Sequence, residues 1–145
     1  MGSFSLAIAL TASLISAGTD SYTAAHKEMT ETGRPLVVLV GADWCPACRT
    51  MKQSVIPQAK REGVLKDVSF AVVNTDNEPN IARGLMSGGS IPQLIVYHKT
   101  ADGWKRRQLT GAQSLGTIES LVKEATAATA AAAAEQSTDK LTATK

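Results

Sequence analysis

The segment Leu36-Val37-Val38-Leu39-Val40-Gly41-Ala42-Asp43-Trp44-Cys45-Pro46-Ala47-Cys48 runs from a short apolar, β-branched stretch into the only two cysteines of the chain. Leu36 to Val40 reads as a strand, and Arg49 to Ile56, behind the cysteines, reads as helix. Cysteines at i and i+3 on a first helical turn can bond, because their Cα atoms fall within about 4.4–6.8 Å of each other. Cys45 then sits near the helix N-cap, where free backbone N–H groups and the positive end of the helix dipole stabilise a thiolate. Cysteines so placed have pKa values of about 3.5–7.5, against about 8.5 for a free thiol. Pro46 suits the first helical position, since its missing N–H costs nothing there and its φ is already helical. Arg49 and Lys52 add positive charge within the next two turns, and Asp43 opposes them. Cys48, one turn deeper, is expected to be the more buried and less acidic of the two. That asymmetry assigns roles: Cys45 attacks a partner's disulfide and Cys48 resolves the mixed disulfide.

Three other uses of a C-x-x-C compete. Structural zinc wants four ligands, and only His26 and His98 remain to join the cysteines, far apart and unpatterned. Haem attachment needs His after the second cysteine, and that residue is Arg49. A purely structural disulfide closing so short a loop removes little chain entropy, so a stapling role is disfavoured.

Ala42-Asp43-Trp44-Cys45-Pro46-Ala47-Cys48 after an apolar strand resembles the active site of the thioredoxin superfamily. Ser90-Ile91-Pro92-Gln93, ahead of Leu94-Ile95-Val96-Tyr97, resembles the cis-proline that opens a strand and faces the cysteines in that family. Gly111, in Leu109-Thr110-Gly111-Ala112 before the last helix, is a third mark. The similarity spans residues 20 to 126, and the Ala-Asp-Trp-Cys form looks closer to extracytoplasmic thioredoxin-like domains than to general cytosolic thioredoxins. The resemblance implies an α/β, thioredoxin-like fold: a central mixed β-sheet flanked by helices. It implies a thiol–disulfide oxidoreductase working through a redox-active Cys45–Cys48 pair, with Trp44, Pro46, Ile91 and Pro92 forming the substrate-docking surface. A cis Ile91–Pro92 bond would leave the backbone of Ile91 free beside Cys45, where an extended peptide could add by β-augmentation. The partners implied are protein dithiol and disulfide substrates and an upstream redox partner, met by a monomer. Neither metal nor organic cofactor is expected, because the dithiol itself carries two electrons.

The departures from the family pattern bear on mechanism. Many members carry a buried acid six residues before the first cysteine, which moves a proton to and from the second; that position is Leu39. A lysine often found on the following strand falls at Val72. Deprotonation of Cys48 then rests on water or on the substrate thiolate. Pro46-Ala47 matches neither the Gly-Pro of typical thioredoxins nor the Pro-His of the strong oxidant DsbA, leaving a redox span of about −270 to −120 mV. The missing acid motivates an alternative: a low-turnover binding or chaperone-like module that keeps the fold.

At 145 residues the chain makes one domain with ends. Such a domain buries roughly two thirds of its unfolded surface and needs no disulfide scaffold. A net charge of +2 is too near neutral for nucleic acid or an anionic membrane as main partner. Residues 1–18 form a signal-like apolar segment, Leu6 to Ala17, too short for a span of about 20 residues. Ser16-Ala17-Gly18 supplies small residues for a cleavage site, although no Lys or Arg precedes Lys27. Export, to the periplasm or outside the cell, is therefore favoured over a cytoplasmic location; the competing reading is a first strand at Ser13 to Ser16.

Residues 19–126 form the domain. A helix from Thr19-Asp20-Ser21 to Glu31 places Tyr22, Ala25, His26 and Met29 on one face, and Gly33 and Pro35 stop it. Pro57 is expected to end or kink the helix behind the cysteines. Val68 to Val73 is a strand, Asn74 to Asn77 a turn, and Pro79 to Met86 a short helix. Leu94 to His98 and Trp104 to Leu109 make a hairpin about Asp102-Gly103, with Lys105-Arg106-Arg107 guarding an edge strand. Ser114 caps a last helix whose apolar stripe is Ile118, Leu121, Val122 and Ala125. Residues 127–145 are an Ala/Thr-rich tail that extends this helix in part and is disordered from Glu135 onward.

Overall fold

Strand β1, Leu36–Gly41, is buried along its whole length, which is why its sequence is apolar at every position rather than at alternate ones. Its neighbours in the sheet are β2, Ser69–Asn74, which runs parallel to it, and β3, Gln93–Thr100, which runs antiparallel. Strand β4, Gly103–Thr110, pairs antiparallel with β3 and closes the order β2-β1-β3-β4. This computed structural model describes residues 20–142. The apolar segment 1–18, with its two readings as export signal or first strand, lies outside the described residues.

Alternation along the strands divides the core in two. Val37, Leu39, Leu94 and Val96 face the helix behind the cysteines and the last helix, meeting Met51, Ile56, Ile118 and Val122. Leu36, Val38, Val40, Ala71 and Val73 face the opposite way, onto Ala25 and Met29 of α1 (Tyr22–Thr32) and Ala82 and Leu85 of α4 (Pro79–Leu85). Full burial of one of these Val, Leu, Ile or Met side chains stabilises the fold by about 1.5–3 kcal/mol. The buried hydroxyl of Ser69 is satisfied by donating to Glu28 Oε2 at 2.8 Å, and Glu28 in turn pairs with Arg34 at 2.9 Å. His26 lies exposed on α1, and His98 lies across the sheet beside the last helix, so the two imidazoles share no site. Among the described residues no group of three or more His, Cys, Asp or Glu is placed to hold a metal ion. No described helix is long and apolar enough to cross a membrane.

Of the two outcomes expected at Pro57, an end or a kink, the helix behind the cysteines shows a local distortion and no end. Segment α2, Pro46–Thr50, passes through a π-helical turn, Met51–Val55, into α3, Ile56–Arg61. Ile56 N–H donates to Met51 O, one residue further back than in an α-helix. Pro57 has no N–H to give Gln53 and its ring would press on that carbonyl. The wider turn absorbs the conflict, and the helix bends its register instead of stopping.

The last helix also differs. Helix α5 runs Leu115–Thr142, through the Ala/Thr stretch and on past Glu135, where the sequence suggested loss of structure. Ser114 starts it as expected, its Oγ accepting from Thr117 N–H at 3.1 Å. Small residues let the helix approach the sheet closely: Ala125 and Ala132 are buried, and Thr129 Oγ1 accepts from Lys99 N–H at 3.3 Å. Beyond Ala132 the turns up to Lys140 are exposed, and alanine's high helix propensity is what sustains them.

His98 supplies a pH dependence. It projects toward α5 into a pocket with Arg107, Leu121 and Glu124, and its Nδ1 is buried without a partner. Burial lowers its pKa from the ordinary 6.5, Arg107 and Lys105 push the same way, and Glu124 opposes them. The unfolded chain therefore binds a proton that the folded one resists, so stability is lost as pH falls below the unfolded value. Urea midpoints measured from about pH 7.5 down to about pH 5.5 are expected to fall, and His98→Gln to flatten that slope. An unchanged slope in His98→Gln would place the titration elsewhere.

Candidate active site

The turn after β1 delivers Ala42 to Cys45 to the start of α2. Cys45 is the N-cap of that helix, with extended φ −83° and ψ 117°, and Pro46 takes the first helical position. The Sγ of Cys45 accepts a hydrogen bond from the backbone N–H of Cys48 at 3.3 Å. The two sulfurs are joined in a disulfide with a Cα–Cα separation of 5.2 Å, inside the usual range for a bridge.

Burial does not separate the pair as the sequence suggested. Cys45 is 6% exposed and Cys48 5%. The difference lies in what each sulfur faces. Cys45 Sγ lies 4.0 Å from the carbonyl oxygen of Ile91 and receives the helix N–H. Cys48 faces back onto the end of β1, where a Cβ placed on Gly41 would lie 2.9 Å from Cys48 Sγ and 3.0 Å from its Cβ. Only hydrogen leaves room for Cys48 at that point. Gly41 is thus a site residue that the sequence reading missed; a glycine closing an apolar strand is too common a pattern to have singled it out.

The cations expected to favour a thiolate are turned elsewhere. Lys52 Nζ is 3.4 Å from Asp43 Oδ1, and Arg49 Nη1 donates to the Asp43 carbonyl at 3.3 Å. Asp43 gathers both charges on the outer side of the loop, which leaves the helix terminus and the Cys48 N–H as the groups that act on Cys45 directly. A cavity of about 190 Å³ lies beside Cys48, bordered by Leu39, Gly41, Val72, Asp43 and Lys52. Leu39 and Val72, the positions at which the sequence departs from the pattern it resembles, both line this cavity with hydrocarbon.

Trp44 stands 65% exposed next to Cys45. Its indole N–H donates to Asp76 Oδ2 at 3.0 Å, and Asp76 is itself held by its N–H donating to Asn74 Oδ1 at 2.8 Å. The turn after β2, read from sequence as turn and cap chemistry, thus orients this tryptophan. Pro46 is exposed beside it, Ile91 is half-buried against Ala42 and the cysteines, and Pro92 is buried. The Ile91–Pro92 peptide is cis. Gly111, with φ 92°, donates its N–H to Pro92 O at 2.8 Å and ties the start of the last loop to this turn. The six residues expected at the site come from two neighbouring segments: Trp44 and Cys45 in the turn after β1, Pro46 and Cys48 on the first turn of α2, and Ile91 and Pro92 on the loop before β3.

Comparison with known proteins gives a consistent picture. A family model described as thioredoxin-like matches residues 17–99. The chain is similar to a protein named thiol:disulfide interchange protein TxlA homolog from Synechocystis sp., 32% identical over 92 residues, which covers 61% of this chain and 48% of that protein. The chain thus spans about half the length of that curated relative. Its fold is similar to chloroplastic thioredoxin z, with a TM-score of 0.60 at 16% identity over 74% of this chain and 91% of the other. It is also similar to a thioredoxin from Thermus thermophilus, with a TM-score of 0.57 at 21% identity over 72% and 82% of the two chains. A thioredoxin of Trichomonas vaginalis superposes with a TM-score of 0.53 at 25% identity, over 72% and 90%.

Proposed function

Because this chain belongs to the thioredoxin-like family, we propose that it is a thiol–disulfide oxidoreductase that exchanges two electrons with protein disulfides through Cys45 and Cys48. One observation carries the reading: Cys45 Sγ sits at a helix N-terminus, accepting the Cys48 N–H, with the sulfur of Cys48 in bonding reach. When the pair is reduced, the Cys45 thiolate attacks one sulfur of a substrate disulfide and expels the other as a thiolate. The Cys48 thiolate then attacks Cys45 Sγ, forms the intramolecular bond and releases the second substrate thiolate. The substrate gains two electrons and the protein loses two; an upstream dithiol restores them. Read backwards, the same steps oxidise a substrate dithiol.

Trp44, Pro46 and the backbone of Ile91 form the surface on which an extended substrate segment lies, the Ile91 peptide offering its polar groups beside Cys45. The substrate thiolate expelled when Cys45 attacks, and water entering the cavity beside Cys48, take the Cys48 proton in place of the acid absent at Leu39. Residues 19–126 carry this activity as one unit, and it works as a monomer: among the described residues the large exposed apolar side chains are Trp44, in the turn after β1, and Trp104, on β4. The apolar run from Leu6 to Ala17 supports an extracytoplasmic setting.

Mixing the reduced protein with insulin, whose interchain disulfides are exposed, is expected to release insulin thiols in proportion to protein added. No thiol release would leave the second reading, a low-turnover binding module, which the hydrocarbon at Leu39 and Val72 favours. Alkylation of Cys45 against pH separates the two independently: a midpoint well under about 8.5 accords with exchange chemistry, and one at that value with the binding module.

A further inference from the structure

We propose that Gln93, together with Gln108, is a positioning residue that holds the loop bearing Ile91 in shape for protein substrates; the proposal rests on the oxidoreductase reading above. Gln93 follows Pro92, opens β3 between Val40 and Thr110, and is 0% exposed. A carboxamide at such a depth is tolerated only when its donors and acceptor are all engaged. The side chain turns back under the loop Ser87 to Ser90. Its Nε2 donates to Ser90 O at 2.9 Å, Ser87 O at 3.1 Å and Gly88 O at 3.4 Å, and its Oε1 accepts from Ser87 N–H at 3.3 Å.

That loop has little else to fix it. Ser87, Gly88, Gly89 and Ser90 are all exposed, and two of the four are glycine. From the outer side, Gln108 Nε2 on β4 donates to the same Ser87 O at 3.0 Å, and Arg106 Nη2 donates to Leu85 O and to Gln108 Oε1, each at 2.5 Å. Two amides, one buried and one at the sheet edge, thus grip Ser87 from both sides. Ser90 leads straight into Ile91, whose carbonyl lies 4.0 Å from Cys45 Sγ. A loop ordered in advance spares a docking peptide the entropy of ordering it. A small disulfide that touches only the sulfurs gains nothing from this. Gln93 therefore acts on recognition of extended substrates and leaves sulfur chemistry at Cys45 alone.

The test is single-turnover oxidation of the reduced protein by insulin at rising concentration, with cystamine as the small disulfide. Gln93→Leu is expected to raise the half-saturating insulin concentration about tenfold, the loss of one or two net hydrogen bonds. The limiting rate and the cystamine rate are expected to stay within about twofold of wild type. A folded variant whose half-saturation is unchanged, or whose insulin and cystamine rates fall together, overturns the proposal. Should Gln93→Leu fail to fold by circular dichroism, Gln108→Ala at the sheet edge decides instead. It is expected to raise half-saturation about threefold with the cystamine rate unmoved, from the loss of a single hydrogen bond, and no rise overturns the proposal. Failure of the oxidoreductase reading itself shows differently, as wild-type protein that insulin does not oxidise at all.

Discussion

Cys45→Ser is expected to remove disulfide reduction almost completely, by roughly a thousandfold or more, because a hydroxyl at that position is not ionised and is a poor sulfur nucleophile. The local structure should survive the change. Serine is a favourable N-cap, and its oxygen can accept the Cys48 N–H that Cys45 Sγ accepts in the native protein. Loss of activity with an unchanged denaturation midpoint therefore isolates the chemistry. Cys48→Ser is expected to behave differently. Cys45 still attacks, but nothing displaces the captured substrate, so a covalent adduct with insulin builds up to about one per protein and dissolves on adding dithiothreitol. Adducts on Cys45→Ser and none on Cys48→Ser would reverse the assigned roles. Equal activity of both variants and wild type would remove the pair from the mechanism.

Gly41→Val is the second large effect. A Cβ at residue 41 would lie 2.9 Å from Cys48 Sγ and 3.0 Å from its Cβ, and valine adds two methyl groups beyond that. Cys48 belongs to the first turns of a helix packed on the sheet through Met51 and Ile56, so the backbone cannot step aside cheaply. Overpacking of this kind costs about 1–3 kcal/mol. It should appear as a lowered urea midpoint, with Gly41→Ala between valine and wild type. Because the added bulk pushes Cys48 out of the position in which it meets Cys45, the glutathione equilibrium is expected to shift toward the dithiol. A valine variant with wild-type midpoint and equilibrium would mean that Cys48 does not lie against β1 in solution.

Both results turn on a contact between residues that the sequence separates by only a few positions, yet only one half of it was legible there. The two cysteines announce themselves by spacing: i and i+3 behind a strand admits few other readings, and Pro46 marks where the helix begins. The apolar run of β1 and the Asp102-Gly103 turn mark strands by local backbone preference, while the mixed sheet and the place of the proline before β3 followed from the resemblance to the thioredoxin superfamily. Gly41 and Gln93 carry no such mark. Each matters because of what comes to lie beside it, a cysteine sulfur in one case and a glycine-rich loop in the other. The direction of Arg49 and Lys52 is a similar matter. Their charges were plain, but that Asp43 takes both was decided by the path of the loop.

The course of the helices shows the same division. Pro57 removes a hydrogen bond and so must end or kink the helix; the structure takes the second course, with a π turn ahead of it that moves the register. The Ala/Thr stretch offered no large apolar face; α5 continues because alanine lets it lie close against the sheet as far as Ala132 and favours helix in the exposed turns beyond. By itself, then, the sequence determined the order of elements and the reactive pair, which follow from short-range sterics and spacing, and the proline loop through its resemblance to the family pattern. Only the tertiary structure decided what presses on Cys48 and what holds the loop, because those depend on groups brought together once the sheet has formed.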